Sequence, residues 1–340
     1  MKSRQLKQRQ IYVLIIGESA RYDHWEINGY DRSTSPHLMT EKDFLDFRHA
    51  AAGGVITELS VPQMLTGVTA ETYNQHLRRG GLLTLFKQAG YKTYWLTNQT
   101  DKGDIRLHSR FADTRILMQN TDGSSEHLHY DLELVTKMKE LLMQDSSNSF
   151  VIIHCIGSHY NYTSRYPSSF NYFKPVYTNE LATPTDESKK NELINAYDNT
   201  ILYTDAVIDS VIKVVNGLHC VTSVLYASDH GENLFDDSRH LILHAPAPPN
   251  IYIAHIPFFI YCSEDYISDY PKKWYWLNMN IDNKVSNNQI FATLSDMAGI
   301  HFRGEDLHNS IADSSFINSN QEILGPNSKV YYYSNLNPEK

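Results

Sequence analysis

The stretch IYVLIIGESARYDHW, residues 11–25, begins with six largely apolar residues and then changes abruptly to Gly-Glu-Ser. The run Ile11–Ile16 is short and rich in β-branched residues, which is typical of a buried strand of a parallel sheet. Glu18 follows at the carboxyl end of that strand, where open α/β sheets bind their ligands. From this stretch alone, Glu18 is either a functional carboxylate or a residue that only caps the next turn.

Similar apolar runs recur along the chain and alternate with segments of helical periodicity. The further predicted strands are Thr93–Leu96, Phe150–Ile156, Val221–Tyr226 and Ile256–Tyr261. The predicted helices cover residues 81–90, 130–143, 191–216 and 286–299. This alternation predicts an α/β fold with a mostly parallel central sheet and helices on both faces. No interdomain linker stands out, so we expect one domain over residues 11–340, preceded by a basic tail or linker at residues 1–10.

The bulk composition narrows the class of protein. The formal net charge is -9 and no basic stripe is present, which argues against a nucleic-acid partner. The three cysteines, Cys155, Cys220 and Cys262, allow at most one disulfide, so the chain is not a disulfide scaffold. No apolar run approaches the length of a transmembrane helix.

A second polar break follows a predicted strand in VLYASDHGENL, where Val221–Tyr226 leads to Asp229 and His230. A carboxylate and an imidazole side by side are a partial ligand set for zinc, although Asp-His-Gly also occurs in ordinary surface turns. If this strand lies beside the first, parallel neighbours bring Glu18, Asp229 and His230 to one edge of the sheet.

The segment GGVITELSVPQMLTG, residues 53–67, offers a nucleophile for such a metal. Thr57 follows a flexible glycine pair and precedes a helix that we expect to start near Ser60 and Pro62. Zinc coordination would stabilise the threonine alkoxide, and a helix N-terminus would stabilise an incoming phosphate. From the segment by itself, an ordinary loop threonine is the favoured interpretation.

These segments, taken in order, closely resemble the phosphoethanolamine transferases of the alkaline phosphatase and sulfatase superfamily. The resemblance covers the chain from Ile11 to about Gly299. The motifs that carry it are GESARYDH, GYDRSTSP, TELSVPQM, TNQTDKG, GSHYNYTSRYP, YDNTILYTD and SDHGEN. It implies an alkaline phosphatase/sulfatase-like fold and a catalytic domain over residues 11–340.

The resemblance implies one zinc held by Glu18, Thr57, Asp229 and His230. Thr57 would attack the phosphorus of phosphatidylethanolamine, expel diacylglycerol and carry phosphoethanolamine as a covalent intermediate. The group would then pass to a hydroxyl or phosphate of a bacterial cell-envelope glycan or lipopolysaccharide.

The resemblance also suggests residues that bind the substrate. The family's Asn-x-x-x-Lys pair matches Asn98 and Lys102, although the pattern of the chain alone would make Lys102 a solvated surface lysine. The family's G-[SN]-H histidine matches His159. The pair His127 and His129 has no assigned role.

A further family histidine stands in an L-H-G-x-P segment, which His244 matches best. Ala245 replaces the family's glycine and the spacing from His230 differs, so His240 is a rival. A second metal near His159 and His244 would also be compatible with the resemblance.

Location and acceptor follow from the resemblance only. Family members have an N-terminal membrane-spanning portion, so we expect this chain to be the catalytic domain of an inner-membrane protein of a Gram-negative bacterium. That domain would face the periplasm, associate with the membrane through the missing segment and be a monomer. Members that modify lipid A carry several disulfides, and three cysteines cannot reproduce them, which argues against lipid A as the acceptor. Core sugars of lipopolysaccharide, periplasmic glucans and other surface structures remain open.

Other classes of protein share some of these sequence features. A metal-dependent phosphodiesterase or phosphatase of the superfamily would use the same four residues and pass the group to water. A phosphoglycerol transferase also uses a metal-bound threonine, but SVPQM and TNQTDKG fit it less well. A sulfatase needs a C/S-x-P-x-R motif, which the Thr57 segment lacks. A binding module with a decayed site would not keep all four residues.

Overall fold

A computed structural model describes residues 8–119, 129–178, 186–244 and 248–336. Most of the predicted tail at residues 1–10, together with His127 and Ala245, lies outside the described residues. In chain order the strands are β1 (Gln10–Gly17), β2 (Phe44–Asp46), β3 (Ala50–Ala51), β4 (Lys92–Thr97), β5 (Thr114–Leu117), β6 (Ser149–His154), β7 (Val221–Ser228), β8 (Asn233–Leu234), β9 (Ile242–Leu243), β10 (Phe258–Cys262), β11 (Val285–Ser286), β12 (Glu322–Leu324) and β13 (Val330–Tyr332). The α-helices are α1 (Thr57–Thr66), α2 (Leu82–Gln88), α3 (Gly103–Ser109), α4 (Asp131–Gln144), α5 (Lys190–Asn216), α6 (Ile251–Ala254), α7 (Glu264–Asp269), α8 (Pro271–Met279) and α9 (Gln289–Met297).

The central sheet has seven strands in the order β2-β10-β7-β1-β6-β4-β5. Strand β10 is antiparallel to both of its neighbours, and all the other pairs are parallel. The predicted α/β fold with a mostly parallel sheet is therefore confirmed. The strand order places β1 and β7, which precede the two polar breaks, side by side at the centre of the sheet.

Strand β1 explains why its sequence is apolar without alternation. Tyr12, Leu14 and Ile16 pack into one hydrophobic core with helices α1, α2, α3, α7, α8 and α9. The alternate residues Ile11, Val13 and Ile15 pack into a second core with α4 and α5 on the opposite face. A strand buried on both faces needs apolar residues at every position, and each fully buried aliphatic side chain contributes about 1.5–3 kcal/mol to folding.

Helix α1 starts earlier than the sequence predicts, at Thr57 rather than near Ser60, so Pro62 lies inside it. A proline inside a helix leaves one carbonyl without its usual donor four residues later. Here that carbonyl belongs to Glu58, and it accepts a hydrogen bond of 2.7 Å from the Tyr73 hydroxyl. The replacement donor explains how the helix continues through the proline and begins at the candidate nucleophile.

Strand β6 ends earlier than predicted, at His154 rather than at Ile156. The backbone N–H groups of Ile156 and Gly157 donate to the buried carboxylate of Asp131, at 3.0 and 2.9 Å, and not to a strand. Gly157 has a φ of +47°, and a Cβ there would lie 2.9 Å from the carbonyl oxygen of Glu18. This tight turn packs the end of β6 against the start of the Glu18 segment.

Candidate metal and catalytic centre

Glu18, Asp229 and His230 meet at the carboxyl edge of the sheet. Strands β1 and β7 pair with Gly17 opposite Ser228, so the next residue of each strand leaves the sheet at the same edge. All three side chains are fully buried. The Nε2 atom of His230 lies 3.6 Å from Glu18 Oε1 and 3.4 Å from Asp229 Oδ2. The predicted convergence of these residues is therefore present.

Thr57 joins this group because it is the first residue of α1. Its hydroxyl donates to Glu18 Oε2 at 2.9 Å, and its Oγ1 lies 3.4 Å from His230 Nε2. The N-terminus of α1 therefore points at the cluster, with its unpaired backbone N–H groups in the first turn. Helix, strand and turn together place four candidate ligands around one point.

The donor atoms fit a metal ion. The Nδ1–H of His230 donates to the carbonyl of Gly231 at 2.9 Å, which leaves the lone pair on Nε2 directed into the cluster. Asp229 Oδ1 accepts from the backbone N–H groups of Ser19 and His230, whereas its Oδ2 has no hydrogen-bond partner among the described residues. Two carboxylates, one imidazole and one hydroxyl form a ligand set that suits zinc.

The electrostatics of the cluster also favour a cation. Burial raises the pKa of Asp229 well above its usual value, and the nearby charge of Glu18 raises it further. Burial and the neighbouring His244 lower the pKa of His230 to about 3, so this imidazole is neutral at physiological pH. A buried pair of carboxylates beside a neutral imidazole is costly without a positive partner, and a metal ion would supply one.

Gln99 is a contact of Glu18 that the sequence analysis missed. Its side-chain amide donates to Glu18 Oε2 at 2.7 Å and to the carbonyl of Cys155 at 2.8 Å. These two bonds fix the carboxylate of Glu18 relative to the end of β6. The signal was available in the motif TNQTDKG, where Gln99 follows Asn98.

The predicted headgroup residues, Asn98 and Lys102, differ in their surroundings. Asn98 is buried, and its amide donates to the carbonyl of His129 at 2.8 Å and to Asp131 at 3.2 Å. Lys102 is exposed at the residue before α3, and the described structure gives it no ion pair or side-chain hydrogen bond. Neither side chain is hydrogen-bonded to the Glu18 cluster.

His159 and His244 lie close to the centre. The His244 ring centroid is 4.4 Å from that of His230 and 5.9 Å from that of His159. The ligand atoms of Glu18, His230 and His244 all lie within 4.8 Å of one another. The rival residue, His240, is exposed and pairs with Glu187 at 2.7 Å, so the structure brings His244 to the centre and not His240.

Glu232 is a second residue that the sequence analysis missed as a member of the centre. It is fully buried, and neither carboxylate oxygen has a hydrogen-bond partner among the described residues. The Nδ1 atom of His244 lies 3.4 Å from Glu232 Oε1. Burial raises the pKa of Glu232. Its place in SDHGEN, two residues after His230, could have revealed it.

The described residues contain neither a disulfide nor a helix that could span a membrane. The thiols of Cys155, Cys220 and Cys262 are all free and buried. Within residues 8–119, 129–178, 186–244 and 248–336, no helix combines the length and apolarity needed to cross a bilayer.

Comparisons with known proteins find the same family that the sequence motifs indicate. The chain is 29% identical over 328 residues to phosphoethanolamine transferase EptC of Escherichia coli K12, covering 93% of this chain and 56% of that protein. It is 30% identical over 309 residues to phosphoethanolamine transferase EptA of the same strain, covering 86% of this chain and 54% of that protein. The chain thus spans about half the length of the curated relatives it matches.

A solved structure covers almost the whole chain. The C-terminal periplasmic domain of E. coli EptC, crystallised in complex with zinc, superposes with a TM-score of 0.86 at 27% identity, over 98% of this chain and 95% of that chain. The family model described as Sulfatase matches residues 10–300. The resemblance to phosphoethanolamine transferases is therefore confirmed, and the chain belongs to the sulfatase family of the alkaline phosphatase superfamily.

Proposed function

We propose that this protein transfers phosphoethanolamine from phosphatidylethanolamine to a hydroxyl or phosphate of a bacterial cell-envelope glycan or lipopolysaccharide. The observation that carries the proposal is the Thr57 hydroxyl, 2.9 Å from one buried carboxylate oxygen and 3.4 Å from a neutral imidazole nitrogen. The names of its relatives EptC and EptA support the same transferred group.

Zinc would be held by Glu18, Thr57, Asp229 and His230, and when bound it lowers the pKa of a coordinated hydroxyl. The chain itself supplies the geometry. Gln99 and Ser19 hold the Glu18 carboxylate by hydrogen bonds of 2.7 Å each. The N-terminus of α1 offers backbone N–H groups to the phosphoryl oxygens, because a helix N-terminus favours an anion.

The transfer takes place in two displacements. In the first, a bond forms between Thr57 Oγ1 and phosphorus while the bond from phosphorus to the diacylglycerol oxygen breaks. The proton of Thr57 leaves towards Glu18, with which the hydroxyl is already hydrogen-bonded, and is then passed on to the departing diacylglycerol oxygen. In the second, the acceptor oxygen bonds to phosphorus, the Thr57 oxygen leaves, and the acceptor proton is returned to it.

The headgroup lies against His159 and His244 in this proposal, with Asn98 and Lys102 as further substrate-binding residues. The structure supports the two histidines most directly, because the His244 ring lies 4.4 Å from that of His230 and the His159 ring lies 5.9 Å from that of His244. Glu232 would hold a second cation with His244, since its buried oxygens have no donor in the described structure.

The relatives support a proposal for the cellular setting. The solved EptC domain is described as periplasmic. We infer that this chain works as a monomer on the periplasmic side of the inner membrane, attached through a membrane-spanning segment that precedes it in the whole protein. This setting gives Thr57 access to a lipid donor.

The proposal is tested by the mass of the protein after incubation with phosphatidylethanolamine vesicles. The native chain is expected to gain one phosphoethanolamine group on Thr57. Thr57→Ala is expected to gain none, while Thr57→Ser, which keeps a hydroxyl, gains the group more slowly. An adduct on another residue, or an equal gain in Thr57→Ala, would contradict the proposal. An adduct that water removes as fast as added lipopolysaccharide does would favour the phosphodiesterase alternative.

A further inference from the structure

A cavity of about 870 Å³ opens at the end of α1 that is remote from Thr57. Thr66, the last residue of α1, and Gly67 line it, so it lies roughly 13 Å from Thr57 along the helix at 1.5 Å per residue. Its volume falls in the range of pockets that bind small molecules. None of the residues assigned to the metal centre lines it.

Two arginines from distant parts of the chain line this cavity. Arg79 and Arg303 both line it and are exposed. Arg79 donates to the side-chain oxygen of Gln75 at 3.2 Å, and the described residues give Arg303 no hydrogen bond or ion pair. Neither guanidinium is therefore neutralised by a carboxylate at close range. Guanidinium groups bind phosphate and carboxylate in a bidentate manner, so the cavity suits an anionic group.

The other lining residues indicate more than a bare anion. Asp306 also lines the cavity, and its oxygens accept from the backbone N–H of His308 and the amide of Asn309. Its remaining lone pairs would repel an anion but accept hydroxyl donors. Phe291 and Phe302 pack edge to face, with centroids 5.6 Å apart, and form an apolar wall. Anion-binding, hydroxyl-binding and apolar groups together fit an acidic sugar.

The cavity continues towards the catalytic end of α1. A second cavity, of about 350 Å³, shares Asn288, Asp306 and Asn309 with the first and reaches Gln63. Gln63 is only six residues after Thr57 on the helix. The two cavities therefore run alongside α1 in the direction of the nucleophile.

We propose that this cavity binds an anionic sugar, phosphorylated or carboxylated, and holds the distal part of a glycan acceptor. The assignment rests on the proposed function, because it deepens the identity of the acceptor. It places the anionic group on Arg79 and Arg303 and the sugar hydroxyls on Asp306 and Asn288.

The test is calorimetric titration of the whole chain with glucose 6-phosphate, with glucose and inorganic phosphate as separate arms. The double variant R79Q/R303Q is expected to lose at least about tenfold in affinity for glucose 6-phosphate, because hydrogen bonds to charged groups are the stronger ones. The matched control R78Q/R110Q removes two exposed arginines that do not line the cavity, and it should bind as the native chain does.

Inorganic phosphate also reports any binding at the metal centre, and that component should be equal in both double variants. Thr57→Ala should lose the covalent adduct but keep its affinity for glucose 6-phosphate, so failure of the proposed function is distinguishable from failure of this assignment. The assignment is overturned if R79Q/R303Q binds glucose 6-phosphate as the native chain does. Equal affinity of the native chain for glucose 6-phosphate and inorganic phosphate would overturn the sugar component.

Discussion

Two buried carboxylates, Asp198 and Asp229, show how a structural cluster differs from a functional one. Both are fully buried. Asp198 Oδ1 lies 2.6 Å from His24 Nδ1, and its Oδ2 accepts from the Tyr30 hydroxyl at 2.9 Å and from Arg32 at 2.8 Å. Every oxygen of Asp198 is satisfied by a side chain, and the cluster ties α5 to the segment that follows β1.

Asp229 has no such complement. Its Oδ1 accepts two backbone N–H groups, but its Oδ2 has no donor within the described structure. Glu232 nearby likewise accepts no hydrogen bond within the described structure, and its ion pair with His244 spans 3.4 Å. A buried polar group without a partner is costly, so folded proteins keep few of them. Burial alone therefore does not distinguish a functional carboxylate from a structural one. The distinguishing feature is a buried carboxylate oxygen that accepts no hydrogen bond from the protein and is free to bind a metal ion.

The largest loss in the free energy of unfolding is expected for Asp198→Ala. Removal of one partner of a buried ion pair leaves the other charge unpaired, which costs about 3–5 kcal/mol. Since Arg32 is one-third exposed, we expect a loss near the lower end, about 3 kcal/mol, in the free energy of unfolding measured with urea. The contrasting variant is Asp229→Asn, studied in metal-free protein. It removes repulsion with Glu18 and should alter the free energy of unfolding by no more than about 1 kcal/mol. An equal loss of stability in both variants would contradict the distinction between a structural Asp198 and a functional Asp229.

A smaller effect on stability is expected from the His244–Glu232 pair, and it depends on pH. Burial opposes the charged form of His244, but Glu232 outweighs it and raises the pKa of His244 to about 9. A raised histidine pKa stabilises the folded state fully below pH 6.5, and this contribution is lost as the pH rises through 9. Metal-free protein should therefore lose roughly 1–3 kcal/mol over that interval.

The variant His244→Gln should flatten this dependence in urea titrations at pH 6.5 and 9. The exposed His240 provides the control, and His240→Gln should follow the native chain. A native stability that stays constant between these two pH values would show that the Glu232 carboxylate does not hold a proton on His244.

Local patterns were sufficient to predict part of the molecule. The strands could be located because a strand buried on both faces has an apolar run with a sharp polar end, as in β1 and β7. The meeting of Glu18 with Asp229 and His230 followed from parallel pairing of those strands. Thr57 was singled out by its segment. Its role was implied by the family resemblance, and that role remains a proposal.

Other features depend on contacts between distant segments. The start of α1 at Thr57 is supported by Tyr73, whose hydroxyl satisfies the carbonyl that Pro62 leaves free. The hydrogen bond from Gln99 to Glu18 joins two segments with no shared local pattern, and so does the cavity that both Arg79 and Arg303 line. Such contacts are decided by tertiary packing, so periodicity and motif spacing could not reveal them.

The most direct test of the comparison is a zinc titration of three proteins: the native chain, Asp229→Asn and Asp198→Asn, each checked for folding by circular dichroism. The native chain should bind zinc tightly. Asp229→Asn should lose more than about 100-fold in affinity, because even outer-shell partners of a metal ligand contribute 10–100-fold. Asp198→Asn should keep the native zinc affinity, since its oxygens are already paired. Native zinc affinity in Asp229→Asn, or no zinc binding by the native chain, would contradict the assignment of the unpaired carboxylate to a metal.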